Sequence, residues 1–214
     1  MKLSQQKFKN SSYPRTSSWG NDSNCCLWDG VMCDSMSSHF GNLPSLTYLN
    51  LSHCCFAGEI PPRIAGLSKL ATFDLSTNWF YSFERGNYLK LEPSTWEKLI
   101  LNMTNMRELI LDYVNMFSIS KSSLSLLMNL SSSLVSLSLR DTSLQGNITN
   151  NILCLQNLQQ LDLSRNQNLN GQLPKSECNS SLRHLDLCFT NFSGEVPNSL
   201  GYLKHLNHLN LGFC

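Results

Sequence analysis

Leu161-Asp162-Leu163-Ser164-Arg165-Asn166, with Leu158 three residues before it, spells L-x-x-L-x-L-x-x-N. Its apolar pair recurs on a fixed phase. Leu185-Asp186-Leu187 and Leu209-Asn210-Leu211 follow at successive intervals of 24 residues, and Leu137-Ser138-Leu139 precedes at the same interval. Further back stand Leu109-Ile110-Leu111, Phe73-Asp74-Leu75 and Leu49-Asn50-Leu51, at intervals of 28, 36 and 24. In an extended segment alternate side chains share a face, so both apolar residues of each copy point one way and the middle residue points the other. One such strand cannot bury its leucines alone, whereas stacked copies bury them in a continuous core. Short parallel strands are therefore expected at all seven copies, with each apolar pair buried and each middle residue exposed.

The position after L-x-L-x-x holds Cys54, Asn78, Val114, Thr142, Asn166, Thr190 and Cys214. Asparagine there can hydrogen-bond neighbouring backbone where the chain leaves the strand, and Cys or Thr is small enough to replace it. Val114 makes no such bond, which predicts the least regular turn at that repeat. Cys54 and Cys214 are expected to be buried thiols, and Cys188 an exposed one. The pattern and period resemble the leucine-rich repeat, which implies an α/β solenoid with one curved parallel sheet. The interval from Phe73 to Leu109 exceeds the period by 12 residues; the excess, 81–96, is read as a tolerated surface insertion rather than a ligand-contacting loop. Leu124-Ser125-Leu126-Leu127 is read as a short convex-side helix.

Length and charge narrow the function. The chain has 214 residues, 14% of them charged, and a formal net charge of +1. The basic residues are scattered, so nothing favours nucleic acid or an anionic membrane as partner. No run of about 18 apolar residues exists, so no transmembrane helix is expected. The residues after Met1 lack an apolar core, so no signal peptide is visible. Nine cysteines and sequons at Asn10, Asn21, Asn50, Asn102, Asn129, Asn147, Asn179 and Asn191 nevertheless predict glycosylation on the secretory route. The expectation that reconciles these features is a fragment of a longer chain, truncated after Cys214.

Residues 17–34 read S-S-W-G-N-D-S-N-C-C-L-W-D-G-V-M-C-D. Trp19, Cys25, Cys26, Trp28, Gly30, Val31, Cys33 and Asp34 resemble the N-terminal cap of plant extracellular leucine-rich-repeat receptors. The L-x-G-x-I-P continuations at Phe56–Pro61, Leu169–Pro174 and Phe192–Pro197 strengthen the resemblance, with a weaker copy at Leu144–Thr149. The chain is similar to the N-terminal part of plant receptor-like proteins of the Cf-type disease-resistance class. This implies an incomplete cap over 1–42 and about seven repeats over 43–214. It also implies a ligand-recognition ectodomain on the outer side of the plasma membrane, acting in pathogen perception with a protein or peptide ligand and a co-receptor kinase. The alternatives are a secreted binding module of the enzyme-inhibitor type and the ectodomain of a developmental receptor kinase. In the family the first cysteine of the Cys-Cys pair bonds an upstream cysteine; none precedes Cys25, which is expected to be unpaired. Few residues separate Asp34 from Leu43, where the family has further repeats, so the cap is not expected to seat normally. Cys26 and Cys33 are expected to form a structural disulfide rather than half of a zinc site. Cys154 and Cys178 are 24 residues apart, at equivalent places in adjacent repeats, and are a second candidate pair.

No P-loop, G-x-S-x-G or H-E-x-x-H motif occurs, so no enzyme and no cofactor are expected. Side chains available on the concave face are Tyr113, Arg140, Asp162, Arg165, His184, Asp186, Phe189, His208 and Phe213. This neutral mixture of polar and aromatic groups suits a peptide or protein surface. His184 and His208 should stack outward on neighbouring strands about 4.8 Å apart, beside Asp162 and Asp186. That arrangement could hold a metal, but an ordinary polar face is preferred. A glycan at Asn50 would cover the first strands and leave the later ones open.

Overall fold

The computed structural model describes residue 36 and residues 38–78, 88–130, 132–176 and 180–214. The strands come in chain order as β1 (Tyr48–Asn50), β2 (Gly58–Glu59), β3 (Thr72–Asp74), β4 (Leu89–Lys90), β5 (Glu108–Ile110) and β6 (Ser136–Ser138). There follow β7 (Gln145–Asn147), β8 (Gln160–Asp162), β9 (Asn168–Gly171), β10 (His184–Asp186), β11 (Asn191–Phe192) and β12 (His208–Asn210). Two α-helices, α1 (Pro93–Asn102) and α2 (Lys121–Ser125), and several 3-10 turns complete the chain. β1, β3, β5, β6, β8, β10 and β12 form a parallel sheet in chain order. Its register aligns Leu49, Phe73, Leu109, Leu137, Leu161, Leu185 and Leu209. These are the seven repeat copies. β7, β9 and β11 make a second parallel sheet from the L-x-G segments, and β2 pairs with β4.

The leucine pairs fill the space between this sheet and the convex-side turns. Both members of the pair are 0% exposed from Phe73 through Leu187, and Leu49 and Leu51 are also buried. Leu209 departs from the expectation and is 45% exposed; β12 stands at the edge of the described sheet, paired with β10. Cys214, in the turn after β12, is exposed, and Cys54 is half-buried rather than enclosed.

Each strand continues into a turn whose backbone groups are met by the next repeat. Leu139 N donates to Asp162 O at 2.9 Å and Asp141 N to Ser164 O at 2.9 Å, and the same two bonds recur along the solenoid. The turn forces a left-handed residue just before the ladder position. His53, Thr77, Tyr113, Asp141, Arg165, Phe189 and Phe213 all have φ between 53° and 66°. A non-glycine residue meets a steric penalty in that region, so the hydrogen bonds must hold it there.

Asn166 supplies several of those bonds. It is 1% exposed. Its Nδ2 donates to Leu139 O at 2.8 Å and to Leu163 O at 2.9 Å. Its Oδ1 accepts from the backbone N–H groups of Thr142 and Leu144. Asn78 does the same between Leu51, Leu75, Cys54 and Phe56. Thr142 and Thr190 satisfy one carbonyl each, Leu139 O and Leu187 O. The turn at Val114 is not irregular as expected. Val114 is buried, Tyr113 keeps a φ of 66°, and Tyr113 N still donates to Arg140 O at 2.9 Å. The backbone ladder alone sustains it.

Glycine in the L-x-G segment serves two purposes. Gly146 has a φ of 86°, a region open to glycine. At Gly171 a Cβ would run into the Phe192 ring of the neighbouring repeat.

The long interval is not a surface insertion throughout. Residues 79–87 lie outside the described set, but the segment from residue 88 onward is structured. α1 starts on Pro93, whose missing N–H costs nothing at that position. Trp96 is fully buried, and its Nε1 donates to Ser123 O at 2.8 Å. Spacing alone places Trp96 in a loop, because a 36-residue interval shows only that residues are added. α2 and the 3-10 turn Leu126–Leu130 occupy the convex side as expected. Upstream, the 3-10 turn Ser38–Asn42 places Phe40 in the core with Met36. Gly41 lies so close to the Arg63 carbonyl that no Cβ would fit. The convex wall thus begins inside the stretch assigned to the cap.

Asn166→Ala should lower unfolding stability by about 3 kcal/mol, since it strands buried carbonyls and N–H groups together. Urea unfolding of the two proteins checks this. A loss below about 1 kcal/mol would show that the backbone ladder suffices there, as it does at Val114.

Candidate functional site

The middle residues of the strands and the turn residues after them form the concave surface. Most of the residues singled out in the sequence gather on its later half. His184 and His208 are register partners on β10 and β12, and their rings stack with centroids 4.0 Å apart and planes 1° apart. Phe189 and Phe213, in the turns after these strands, stack at 4.7 Å. The Arg165 guanidinium lies 5.9 Å from the Phe189 ring centre. Arg165, Phe189 and Phe213 are exposed, Phe213 by 80%. The left-handed turn turns this column outward, a placement that strand alternation cannot reveal. Arg140 lies 3.9 Å from Asp162 and is half-buried. Its charge is held more firmly than usual: the hydrogen bond to Tyr113 and the Asp162 carboxylate outweigh burial, which acts the other way.

The middle residues are not uniformly exposed. Asp74 and Asp186 are 9% and 7% exposed. Each carboxylate is drawn into the sheet by its own turn and by an asparagine on the edge strand beside it. Asp74 accepts from Ser76 N at 2.9 Å and Asn50 Nδ2 at 3.0 Å. Asp186 accepts from Cys188 N at 2.9 Å and Asn210 Nδ2 at 3.0 Å. Burial pushes the Asp186 carboxyl up, but hydrogen bonds from Cys188 and Asn210 together hold it below the ordinary carboxylate range. Cys188 is buried, not an exposed thiol; burial, then Asp186, pushes its thiol up. Asp112, which the repeat pattern does not single out, accepts from Ser138 Oγ at 2.5 Å and Arg140 N at 3.0 Å. Burial holds its carboxyl above the usual range despite those bonds.

Asn50 is exposed on the first strand, with Nδ2 engaged by Asp74 and Oδ1 by Ser52. Asn102, Asn129, Asn147 and Asn191 are also exposed. Asn10, Asn21 and Asn179 lie outside the described residues. So do Cys25, Cys26, Cys33 and Cys178. Cys154 is disulfide-bonded.

A one-sided ladder of parallel strands, closed by Asn-containing turns, defines a leucine-rich-repeat solenoid. The family model for the leucine rich repeat N-terminal domain matches residues 6–34, and that for the leucine rich repeat matches 45–67 and 181–203. The chain thus carries leucine-rich-repeat segments, and its homologues are plant receptor-like proteins. It is 33% identical to receptor-like protein 6 of Arabidopsis thaliana over 246 aligned positions, covering 94% of this chain and 24% of that protein. It is 32% identical to receptor-like protein Cf-9 of Solanum pimpinellifolium, covering 91% of this chain and 26% of the relative. The chain thus spans about a quarter of the length of these relatives. Among solved structures it resembles the Arabidopsis receptor kinase HAESA, crystallised with the peptide hormone IDA and the co-receptor SERK1. The TM-score is 0.67 at 27% identity, over 86% of this chain and 28% of that one. A TDR receptor gives a TM-score of 0.62 at 28% identity, over 84% and 28%.

The two carboxylates give opposite pH dependence. Asp186 binds its proton less well folded than unfolded. Its contribution is therefore complete above the unfolded value of about 4 and is lost as pH falls through the depressed folded value. Asp112 has the raised value, so it costs stability as pH rises past its ordinary range and nothing below it. The stability difference between the native chain and Asp186→Asn should shrink between about pH 5 and pH 3, while Asp112→Asn should gain on the native chain as pH rises. Urea titrations at each pH measure both.

Proposed function

We propose that this chain is the N-terminal part of a cell-surface ligand-recognition ectodomain that binds a peptide or protein through its later repeats, in pathogen perception. The observation that carries the reading is the exposed column Arg165, Phe189 and Phe213 beside the stacked His184 and His208. Aromatic rings and arginine supply large contact area at small entropic cost and dominate binding energy at interfaces. Homology to receptor-like proteins such as Cf-9, and likeness to a receptor kinase crystallised with a peptide hormone, support the same class. By that likeness we extend the reading to a co-receptor kinase as partner and to the outer side of the plasma membrane. Among the described residues no helix is long and apolar enough to cross a membrane, so attachment would depend on a segment other than these. The chain is read as a binding module, not an enzyme.

Asp186 contributes to this surface as a support rather than a contact, because its carboxylate is buried. Tyr113, Arg140 and Asp162 are half-buried on the preceding repeats. A glycan on Asn50 would cover β1 and β3 and leave β8, β10 and β12 open. The same reading keeps Cys26–Cys33 and Cys154–Cys178 as structural disulfides.

Peptides selected from a random phage library on the whole secreted chain provide the binding test. Phe189→Ala and Arg165→Ala should each weaken the selected peptides by at least about tenfold, as loss of a contact residue at an interface does. Tyr48→Ala and Thr72→Ala should leave affinity unchanged, and the reverse pattern would reject the assignment. Peptide mapping of the same secreted protein, before and after reduction, should recover Cys154 linked to Cys178 and a glycan on Asn50. Cys154 recovered with any other cysteine refutes the pairing.

A further inference from the structure

The later concave face brings three ligand atoms of mixed type together. His184 and His208 face one another across β10 and β12, and Asp186 follows His184 on the same side of the sheet. One ligand atom from each of the three lies within 4.8 Å of the others. The three differ in mobility. Asp186 is buried and clamped by Cys188 N on one carboxylate oxygen and Asn210 Nδ2 on the other, with the Cys188 thiol as a third donor. An ionised carboxylate has about four acceptor positions, so these three donors leave about one open for another partner. Outer hydrogen bonds of this kind orient a ligating carboxylate. His184 is half-buried and His208 exposed, so both rings can turn without disturbing the core.

We infer that His184, Asp186 and His208 form a binding site for a divalent transition-metal cation of zinc type. Two imidazoles and one carboxylate suit zinc, copper or nickel, whereas calcium and magnesium require shells of oxygen. Zinc bonds of about 2.0–2.1 Å in a tetrahedron place ligand atoms about 3.3 Å apart. Closing the present spacing to that value requires the two rings to leave their parallel stack and turn their nitrogens toward the fixed carboxylate. A buried carboxylate is out of reach of a bulky side chain but not of a small ion held at the edges of the two imidazoles, in line with their ring nitrogens. The next strand breaks the pattern: Gln160 takes the histidine position on β8, and its Oε1 accepts from Ser136 at 3.4 Å. Asp162, beside Asp186, is neutralised in part by Arg140. The site is therefore confined to β10 and β12. It has three protein ligands, leaving a fourth position on the groove side for water or for a group of whatever occupies the groove. The sequence alone favours an ordinary polar face at this place. The site stands or falls independently of the peptide-binding assignment, because its probe is the metal alone.

Calorimetric titration of the metal-free whole chain with zinc chloride, at about pH 7 in a non-chelating buffer, tests this. One saturable site with a dissociation constant of about 10 μM or tighter is expected. His184→Ala and His208→Ala should each weaken it by at least about tenfold, while His205→Ala should leave it unchanged. Both rings are outside the core, so circular dichroism should show the variants folded. Cobalt in place of zinc should give the strong visible absorption of a four-coordinate site, lost in the same two variants. No saturable binding would overturn the proposal. So would binding that survives both histidine changes and disappears when the cysteines are alkylated.

Discussion

The structure depends on how the turn after each strand finds partners for its backbone. A strand of three residues leaves polar groups exposed at its end, and the turn lies against a dry leucine core where unmet groups are costly. Each repeat solves this with the next one: strand and turn N–H groups donate to carbonyls one repeat further on. Asn78 and Asn166 add side-chain amides that join carbonyls and N–H groups in two neighbouring repeats. A repeat is consequently incomplete by itself, and the solenoid is held by nearest-neighbour interfaces.

The same constraint shapes the surface that can bind. To form those bonds the residue before the ladder position must take a left-handed conformation, and it does so in all seven repeats. The side chains at these positions, among them Arg165, Phe189 and Phe213, are thereby aligned along one rim of the sheet. Their identity is free because the backbone geometry does not depend on it. A fold of this type can vary its rim and its middle-residue columns for recognition while its leucines stay fixed.

Where polar side chains do enter the sheet, they change character. Asp74 and Asp186 sit in the variable column, yet neighbouring asparagines and their own turns pull them below the surface. Asp186 becomes a fixed group behind two stacked imidazoles outside the core, which is a different object from an exposed acidic contact.

The spacing of Leu49, Phe73, Leu109, Leu137, Leu161, Leu185 and Leu209 was enough to determine the class of fold, the strand register and the buried face. Period two within a strand and period 24 between strands leave few other ways to bury those leucines. The stacking of His184 on His208 was legible for the same reason, since equal repeat positions become register partners. Other features were not. The burial of Trp96 depends on α1 packing under α2, which the long interval does not encode. The regular turn at Val114 rests on backbone bonds that no side chain announces. The burial of Asp186 goes with hydrogen bonds from its own turn, at Cys188 N, and from Asn210 on the adjacent strand. Leu209 is exposed on the edge strand of the described sheet, since burial in a stack is supplied by the strand alongside. Sequence period fixes which side chains align, while exposure and charge are set by what the adjacent repeat offers, and that is decided only when the repeats are stacked.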